Sequence, residues 1–212
     1  MSPDPWAALQ AEFALSVDEL ERLRAYDAQL LETSAHTNLV ARSSLPHRWE
    51  RHYRDSLQLF PLMPKEAETH LDIGSGAGFP GIILSILAQD RLPALQTTLC
   101  DSVGKKATFL KAAGLAAGLD KLTVSSKRVE SFPRAQKFDV ITARAVTALP
   151  ALLDLAIPRL TNGGLLVFPK GQRAQQEVDA AQEQWSFEIE SRPSLTDKDA
   201  AILLIREPSR RS

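Results

Sequence analysis

Cysteine, tyrosine and methionine are scarce in this chain: its 212 residues include one Cys, two Tyr and two Met. The single thiol, Cys100, rules out an intramolecular disulfide and a zinc site built from cysteines. No apolar run reaches the roughly 18 residues that a membrane-spanning helix needs. Residues Met1 to Gln10 lack a basic stretch followed by an apolar core, so no secretory signal is expected and the chain is expected in the cytoplasm. No internal repeat or low-complexity tract occurs. The formal net charge is only −1, which argues against a protein that holds nucleic acid by bulk charge alone.

What is present is an ordinary globular composition, with 44% hydrophobic and 24% charged residues, long enough to bury a core without metal or disulfide support. The small net charge conceals segregation. Met1 to His70 holds 7 cationic and 11 acidic side chains, Ser102 to Arg144 holds 9 and 3, and Gly171 to Ser212 holds 6 and 8. The middle third is therefore basic. Such a run is either a solvated face or a local patch for an anionic partner.

Residues 1–64 read as a helical extension. Ser16 and Glu19 have capping-box spacing, and Leu20, Leu23, Leu30 and Leu31 recur at helical period. A second helix is expected from Leu45 to Phe60, ending at Pro61 and Pro64. From about residue 65 to 212 the pattern alternates. Strands are expected at Leu71 to Ile73, Thr97 to Asp101, Leu122 to Ser125, Phe138 to Ala143 and Leu165 to Phe168, the last entered through an Asn162-Gly163-Gly164 turn. Helices fall after Pro80, at Gly104 to Ala117, at Leu149 to Ile157 and after Gly171, with Pro80 expected at the first helical position. Two closing strands, Trp185 to Glu190 and Ala201 to Arg206, are joined by a loop with Pro193. This alternation predicts an α/β fold, an open and mostly parallel sheet flanked by helices. Ligands of such sheets bind beyond the carboxyl ends of the strands, which places Gly74 to Phe79, Asp101, Arg144 and Lys170 on the functional edge.

The segment from Leu71 to Gly81, with glycines at 74, 76, 78 and 81, carries most information. Glycines let a backbone turn tightly and approach a ligand, and the following helix N-terminus offers free N–H groups. Gly76 to Gly81 satisfies G-x-G-x-x-G, with Asp101 20 residues on, as in nicotinamide dinucleotide sites. Read from the strand end at Ile73, however, the pattern is G-x-G-x-G with Asp72 inside the strand. That arrangement resembles motif I of the class I methyltransferases, in which the acid after the next strand, here Asp101, holds the ribose of S-adenosyl-L-methionine. From the loop alone both readings stand.

A wider set of motifs extends the resemblance. Upstream stand Asn38-Leu39 and Arg51 to Ser56; downstream follow Asp101 to Lys106, Arg128-Val129-Glu130, Ala143-Arg144-Ala145 and Lys170-Gly171. Over Asn38 to Gly171 this order and spacing resembles the RsmG family, also called glucose-inhibited division protein B. Ala143 departs from the usual serine and Val40 from the common threonine. The resemblance implies a class I methyltransferase (Rossmann-like) fold and methylation of guanosine N7 in 16S ribosomal RNA. Its partner would be the RNA or the small ribosomal subunit, with no metal and no membrane partner, acting as a monomer. It implies that Gly74, Gly76, Phe79, Asp101, Val129, Glu130 and Arg144 serve the cofactor. No catalytic acid or base is implied, because N7 carries a free lone pair. Candidate RNA contacts are Lys105, Lys106, Arg128, Lys170, Arg51 and His52, with Lys127 nearby and Arg48 on the same expected helix face. Cys100 is expected to be a small buried hydrophobe.

Overall fold

The computed structural model describes residues 4–211. Two helices open it, α1 (Pro5–Phe13) and α2 (Val17–Ser34). The capping box at α2 is present: the Ser16 hydroxyl accepts from the Glu19 N–H, and the Glu19 carboxylate accepts from the Ser16 N–H. Glu19 is itself buried and pairs with Arg91 at 2.6 Å, so this cap also fastens α2 to a later helix. Leu20, Leu23, Tyr26 and Leu30 form the buried stripe of α2. Each such apolar side chain, fully buried, contributes about 1.5–3 kcal/mol.

The expected helix from Leu45 to Phe60 does not form as one piece. A 3₁₀ segment, Arg42–His47, gives way to a π-helical turn, Trp49–Arg54, then a single α turn, α3 (Asp55–Leu57), and a second 3₁₀ segment, Phe60–Leu62. Pro46 supplies no N–H to a regular helix, and Pro61 again blocks continuation. The apolar spacing had the right period, but the two prolines tighten each end and the wide turn between them rotates the side chains out of register.

Seven strands follow: β1 (Thr69–Ile73), β2 (Gln96–Cys100), β3 (Leu122–Ser125), β4 (Phe138–Ala143), β5 (Leu160–Lys170), β6 (Trp185–Pro193) and β7 (Ala201–Arg210). Their order is β3-β2-β1-β4-β5-β7-β6, with the first five parallel and β7 antiparallel to both neighbours. Helices α4 (Gly81–Arg91), α5 (Gly104–Ala116), α6 (Leu149–Ala156) and α7 (Ala174–Gln182) complete the domain. This is the expected mostly parallel sheet flanked by helices. The strand order reverses between β1 and β4, so their carboxyl ends open the crevice where such folds take ligands.

Three local expectations need correction. Asn162-Gly163-Gly164 is not a turn before a short strand: it lies inside β5, where pairing with β4 shifts register after Phe138. Gly163 adopts φ +74°, a kink that keeps the strand continuous. Pro80 caps α4 rather than occupying its first turn, so Gly81 is the first helical residue. Pro193 ends β6 instead of sitting in the connecting loop.

Helix α4 is buried on nearly every side. Ile82, Ile83, Ile86 and Leu87 meet α2 and α5 residues in one core cluster, while Leu84 and Ala88 join a second on the other side. Its first residue has no room for a side chain. A Cβ on Gly81 would lie 2.3 Å from Leu99 Cδ2 on β2 and 2.7 Å from Asp72 Oδ2 on β1. Gly81→Ala is therefore expected to destabilise the fold by about 1–3 kcal/mol, the usual cost of overpacking. Urea unfolding measures it, and a loss below about 0.5 kcal/mol would show that the helix can lift off the sheet freely.

Candidate functional site

The loop from Gly74 to Pro80 leaves β1 at its carboxyl end and is held from below. The Gly74 and Ser75 amides both donate to the Cys100 carbonyl, at 2.7 and 3.1 Å, and the Ser75 hydroxyl donates to the Asp72 carbonyl. Gly74 has φ +67°, and a Cβ there would meet Val146 Cγ2 at 2.6 Å. Glycine is thus required both by its backbone angle and by the loop after β4, which lies against it.

Asp101 stands just beyond β2 and is almost fully buried. Its Oδ2 accepts from the Gly76 N–H and its Oδ1 from the Val103 N–H, each at 2.9 Å, while Lys106 Nζ stands 3.8 Å away. The carboxylate therefore ties the glycine loop to the start of α5. Cys100 is buried, with its thiol donating to the Lys127 carbonyl at 3.1 Å, and burial pushes it up to about 12. It behaves as the expected buried hydrophobe.

Above the loop lies a cavity of about 590 Å³. Gly74, Gly76, Phe79, His52, Arg51, Lys106 and Arg144 are on its walls, with Leu39, Val40 and Ala77 supplying apolar surface. Asp101 is outside the lining and reaches it through Gly76 and Lys106. Val129 and Glu130 are outside the lining: Val129 packs in the core beside Ile73 and Cys100, and Glu130 is exposed.

The N-terminal segments build one wall. The Tyr26 hydroxyl donates to the Ala77 carbonyl at 2.5 Å, and its ring meets Phe79 edge-on at 5.4 Å. Asp27 is buried and accepts from Arg48 Nε and Nη2, at 2.8 and 3.0 Å, and from the Tyr53 hydroxyl at 3.0 Å. Arg48 is thus spent on an ion pair and does not share a nucleic-acid face with Arg51. His52 stacks on Phe79 with centroids 5.0 Å apart.

Arg144 joins these parts. Its guanidinium donates to the Arg51 carbonyl at 2.9 Å, to Asp55 Oδ2 at 3.0 Å and to His52 Nδ1 at 3.2 Å, and lies 5.4 Å from the Phe79 ring centroid. Because Nδ1 accepts, the imidazole proton sits on Nε2 and is given to Ser44 Oγ at 3.0 Å. Burial, with Arg144 adding repulsion, pushes His52 down to about 4 from an ordinary 6.5. The next residue, Ala145, has φ +56°, a left-handed conformation rare without glycine and frequent at functional sites.

The His52 shift gives a direct test. Its NMR titration midpoint is expected near pH 4, and Arg144→Ala should raise it. Between pH 6.5 and 4 the unfolded chain binds a proton that the folded chain refuses, so this group's contribution to stability is lost as pH falls through that window. A midpoint near 6.5 in the folded protein would contradict the assigned tautomer and packing.

Lys170, expected to face RNA, is committed elsewhere. Its Nζ donates to the Thr147 carbonyl at 2.9 Å and to Glu177 Oε2 at 2.8 Å. Lys105 and Arg128 are exposed, as is Arg51. Sequence reasoning missed Arg173, an exposed cation three residues beyond Lys170, and also Tyr26, Asp27 and Ser44. Tyr26 and Asp27 had a partial signal in the helical stripe of α2; nothing local marked Ser44.

Below Asp55 and Arg144 the sheet holds a second polar chain. His70 and Asp72 are fully buried on β1, and Thr142 Oγ1 links them, 2.9 Å from His70 Nε2 and 2.6 Å from Asp72 Oδ1. Burial pushes Asp72 up to about 6.

Comparison with known proteins fits this geometry. A family model described as "rRNA small subunit methyltransferase G" matches residues 19–203. Ribosomal RNA small subunit methyltransferase G of Rhodospirillum centenum is 42% identical over 198 residues, covering 93% of this chain and 88% of its own. The protein of the same name from Cereibacter sphaeroides is 40% identical over 196 residues, covering 92% and 94%. Among solved structures, an N-methyltransferase NodS from Bradyrhizobium japonicum with S-adenosyl-L-homocysteine superposes with TM-score 0.58 at 18% identity, covering 84% of this chain and 98% of that one. A putative O-methyltransferase from Klebsiella pneumoniae gives TM-score 0.58 at 16% identity over 95% of both chains. These two structures share the fold.

Proposed function

The chain belongs to the rRNA small subunit methyltransferase G family, and we propose that it moves a methyl group from S-adenosylmethionine to N7 of one guanosine in 16S ribosomal RNA. The observation that carries this reading is the pairing of two cavities at the carboxyl edge of the sheet. The first, of about 590 Å³, is floored by the glycine loop; the second, of about 530 Å³, shares Arg51, Arg144 and Ala145 with it. A donor in one and an acceptor in the other would meet at these shared residues. The nicotinamide reading of the glycine pattern lapses with family membership.

The first cavity fits the cofactor by its chemistry. Gly74 brings bare backbone to its edge, Phe79 and Leu39 offer apolar surface, and Asp101 holds the loop that a ribose would lie against. Gly74, Gly76, Phe79 and Asp101 would hold the cofactor, while Val129 and Glu130, also expected to serve it, lie outside the cavity lining. When bound, S-adenosylmethionine supplies a methyl group on a cationic sulfur. Guanine N7 has an exposed lone pair and no proton, so the chain needs no general base. Its residues have to align acceptor and methyl and keep water out, which can lower the barrier by roughly 7–11 kcal/mol. Arg144 fixes the residues shared by the two cavities through Asp55, His52 and the Arg51 carbonyl, and His52, kept neutral, adds no positive charge to the first cavity's wall.

We read Lys105, Lys106 and Arg128 as contacts to RNA phosphates, supported by the basic run around them, and Arg51 as another, supported by its exposed place on both cavities. A cytoplasmic monomer is the simplest form of this enzyme. Among the described residues no helix is long and apolar enough to cross a membrane. Incubation with labelled S-adenosylmethionine and undermethylated small subunits or naked 16S RNA tests the proposal. Label in RNA is expected, and the faster of the two substrates identifies what is recognised. Label confined to ribosomal protein would overturn the RNA assignment.

A further inference from the structure

The second cavity has a feature that family membership does not assign. Three acids line it, and two are spent: Asp55 pairs with Arg144 at 3.0 Å and Glu177 with Lys170 at 2.8 Å. The third, Asp197, lies on the loop between β6 and β7, is exposed, and has no ion-pair partner among the described residues. Only its Oδ1 is engaged, by the Asp199 N–H at 2.9 Å. The cations divide the same way. Arg144 and Lys170 are spent, while Arg51 and Arg173 make no side-chain hydrogen bond or ion pair among the described residues. The cavity therefore offers two free guanidinium groups and one free carboxylate. Its volume of about 530 Å³ lies within the range of about 300–1,000 Å³ usual for small-ligand sites.

We propose that this cavity takes the target nucleotide, with Asp197 accepting from guanine N1–H and N2–H and with Arg51 and Arg173 on its phosphates. This deepens, and rests on, the guanosine reading above. A carboxylate is an acceptor only, so it suits the two adjacent donors of guanine; adenine presents an acceptor at N1 and is refused. Both purines carry an N7 lone pair, so N7 alone gives no selection and the opposite edge must be read. That edge lies across the ring from N7. Asp197 lines the second cavity alone, whereas Arg51, Arg144 and Ala145 line both. A guanine held by Asp197 therefore turns N7 toward the methyl donor. Arg173, rather than Lys170, is the free cation at the end of β5.

The test is a cycle that varies both enzyme and base. 16S RNA is assembled by ligation with guanosine or inosine at the methylated position. Inosine keeps N7 and N1–H but lacks the N2 amine. The wild-type enzyme is expected to methylate guanosine about tenfold or more faster than inosine, because a site built for a donor rejects the analogue lacking it. Asp197→Ala should slow guanosine methylation below the wild-type inosine rate, because both bonds are lost, and make the two bases equal, with S-adenosylhomocysteine affinity unchanged. Asp199→Ala, on the same loop, should keep the wild-type ratio. Equal rates on both bases in the wild type, or a wild-type ratio in Asp197→Ala, would overturn the assignment of Asp197 while leaving the methyltransferase reading intact. Absence of methyl transfer to any guanosine by the wild type would overturn both.

Discussion

Replacing Asp101 with alanine is expected to weaken S-adenosylhomocysteine binding by about 100-fold, the value of one or two hydrogen bonds to a charged acceptor at roughly 1.5–3 kcal/mol each. The reason lies in what the carboxylate already holds. Both oxygens accept backbone N–H groups, one from Gly76 in the glycine loop and one from Val103 before α5. Alanine removes both and leaves two amides without their acceptor. The loop then loses the anchor that fixes its path beneath the cavity. Asp101→Asn should be intermediate, because an amide accepts through one oxygen but turns N–H groups toward the other donor. Calorimetric titration measures the affinity, with thermal melting to check that the fold persists. Affinity within about threefold of wild type in a folded Asp101→Ala protein would remove this residue from the cofactor site, since such a change is below 1 kcal/mol.

Arg144→Ala should have the larger effect on catalysis. This guanidinium makes three divergent hydrogen bonds, to Asp55, His52 and the Arg51 carbonyl, and lies over Phe79. Its loss frees the segment from Arg51 to Asp55 from the loop after β4, and both carry residues shared by the two cavities. A displacement near 1 Å at a reacting pair costs about 100-fold in rate, and that is the expected fall in methyl transfer. Cofactor affinity should fall much less, because the contacts below the glycine loop are intact. Arg144→Lys should recover little, since an ammonium on a flexible stem cannot reproduce a planar fork. The raised His52 titration midpoint in the same variant separates loss of this network from general unfolding. Near wild-type transfer by Arg144→Ala would show that the two segments are positioned without it.

Much of the scaffold was legible from the sequence for a simple reason. Strands β1, β2 and β4 carry buried apolar residues and are followed at the carboxyl edge by Gly74, Asp101 and Arg144, a signature of buried parallel strands, whereas the edge strand β3 is only partly buried and is followed by Ser126. The glycine loop, Asp101 and Arg144 followed from their positions at strand ends. Less legible was anything decided by contacts between distant residues. Lys170 and Arg173 are equivalent as letters, and only the approach of Glu177 and the Thr147 carbonyl shows which is spent. Arg48 resembled a nucleic-acid contact, but its Nε and Nη2 are held by Asp27, 21 residues away. The stretch from Leu45 to Phe60 has helical spacing, and a π turn keeps nearly that spacing while redirecting His52 inward onto Phe79. The shift of register in β5 leaves only Gly163 and Gly164 as a trace, which reads equally well as a turn.

N7-specific strand scission of methylated 16S RNA, after a single incubation with enzyme and S-adenosylmethionine, tests the central claim most directly. N7-methylguanosine is the cationic product that such cleavage detects. Breakage at one guanosine, absent without enzyme and strongly reduced with Arg144→Ala, is the predicted result. Labelled RNA that resists this cleavage, or breaks at many guanosines, would contradict a site built to present one N7 to one methyl group.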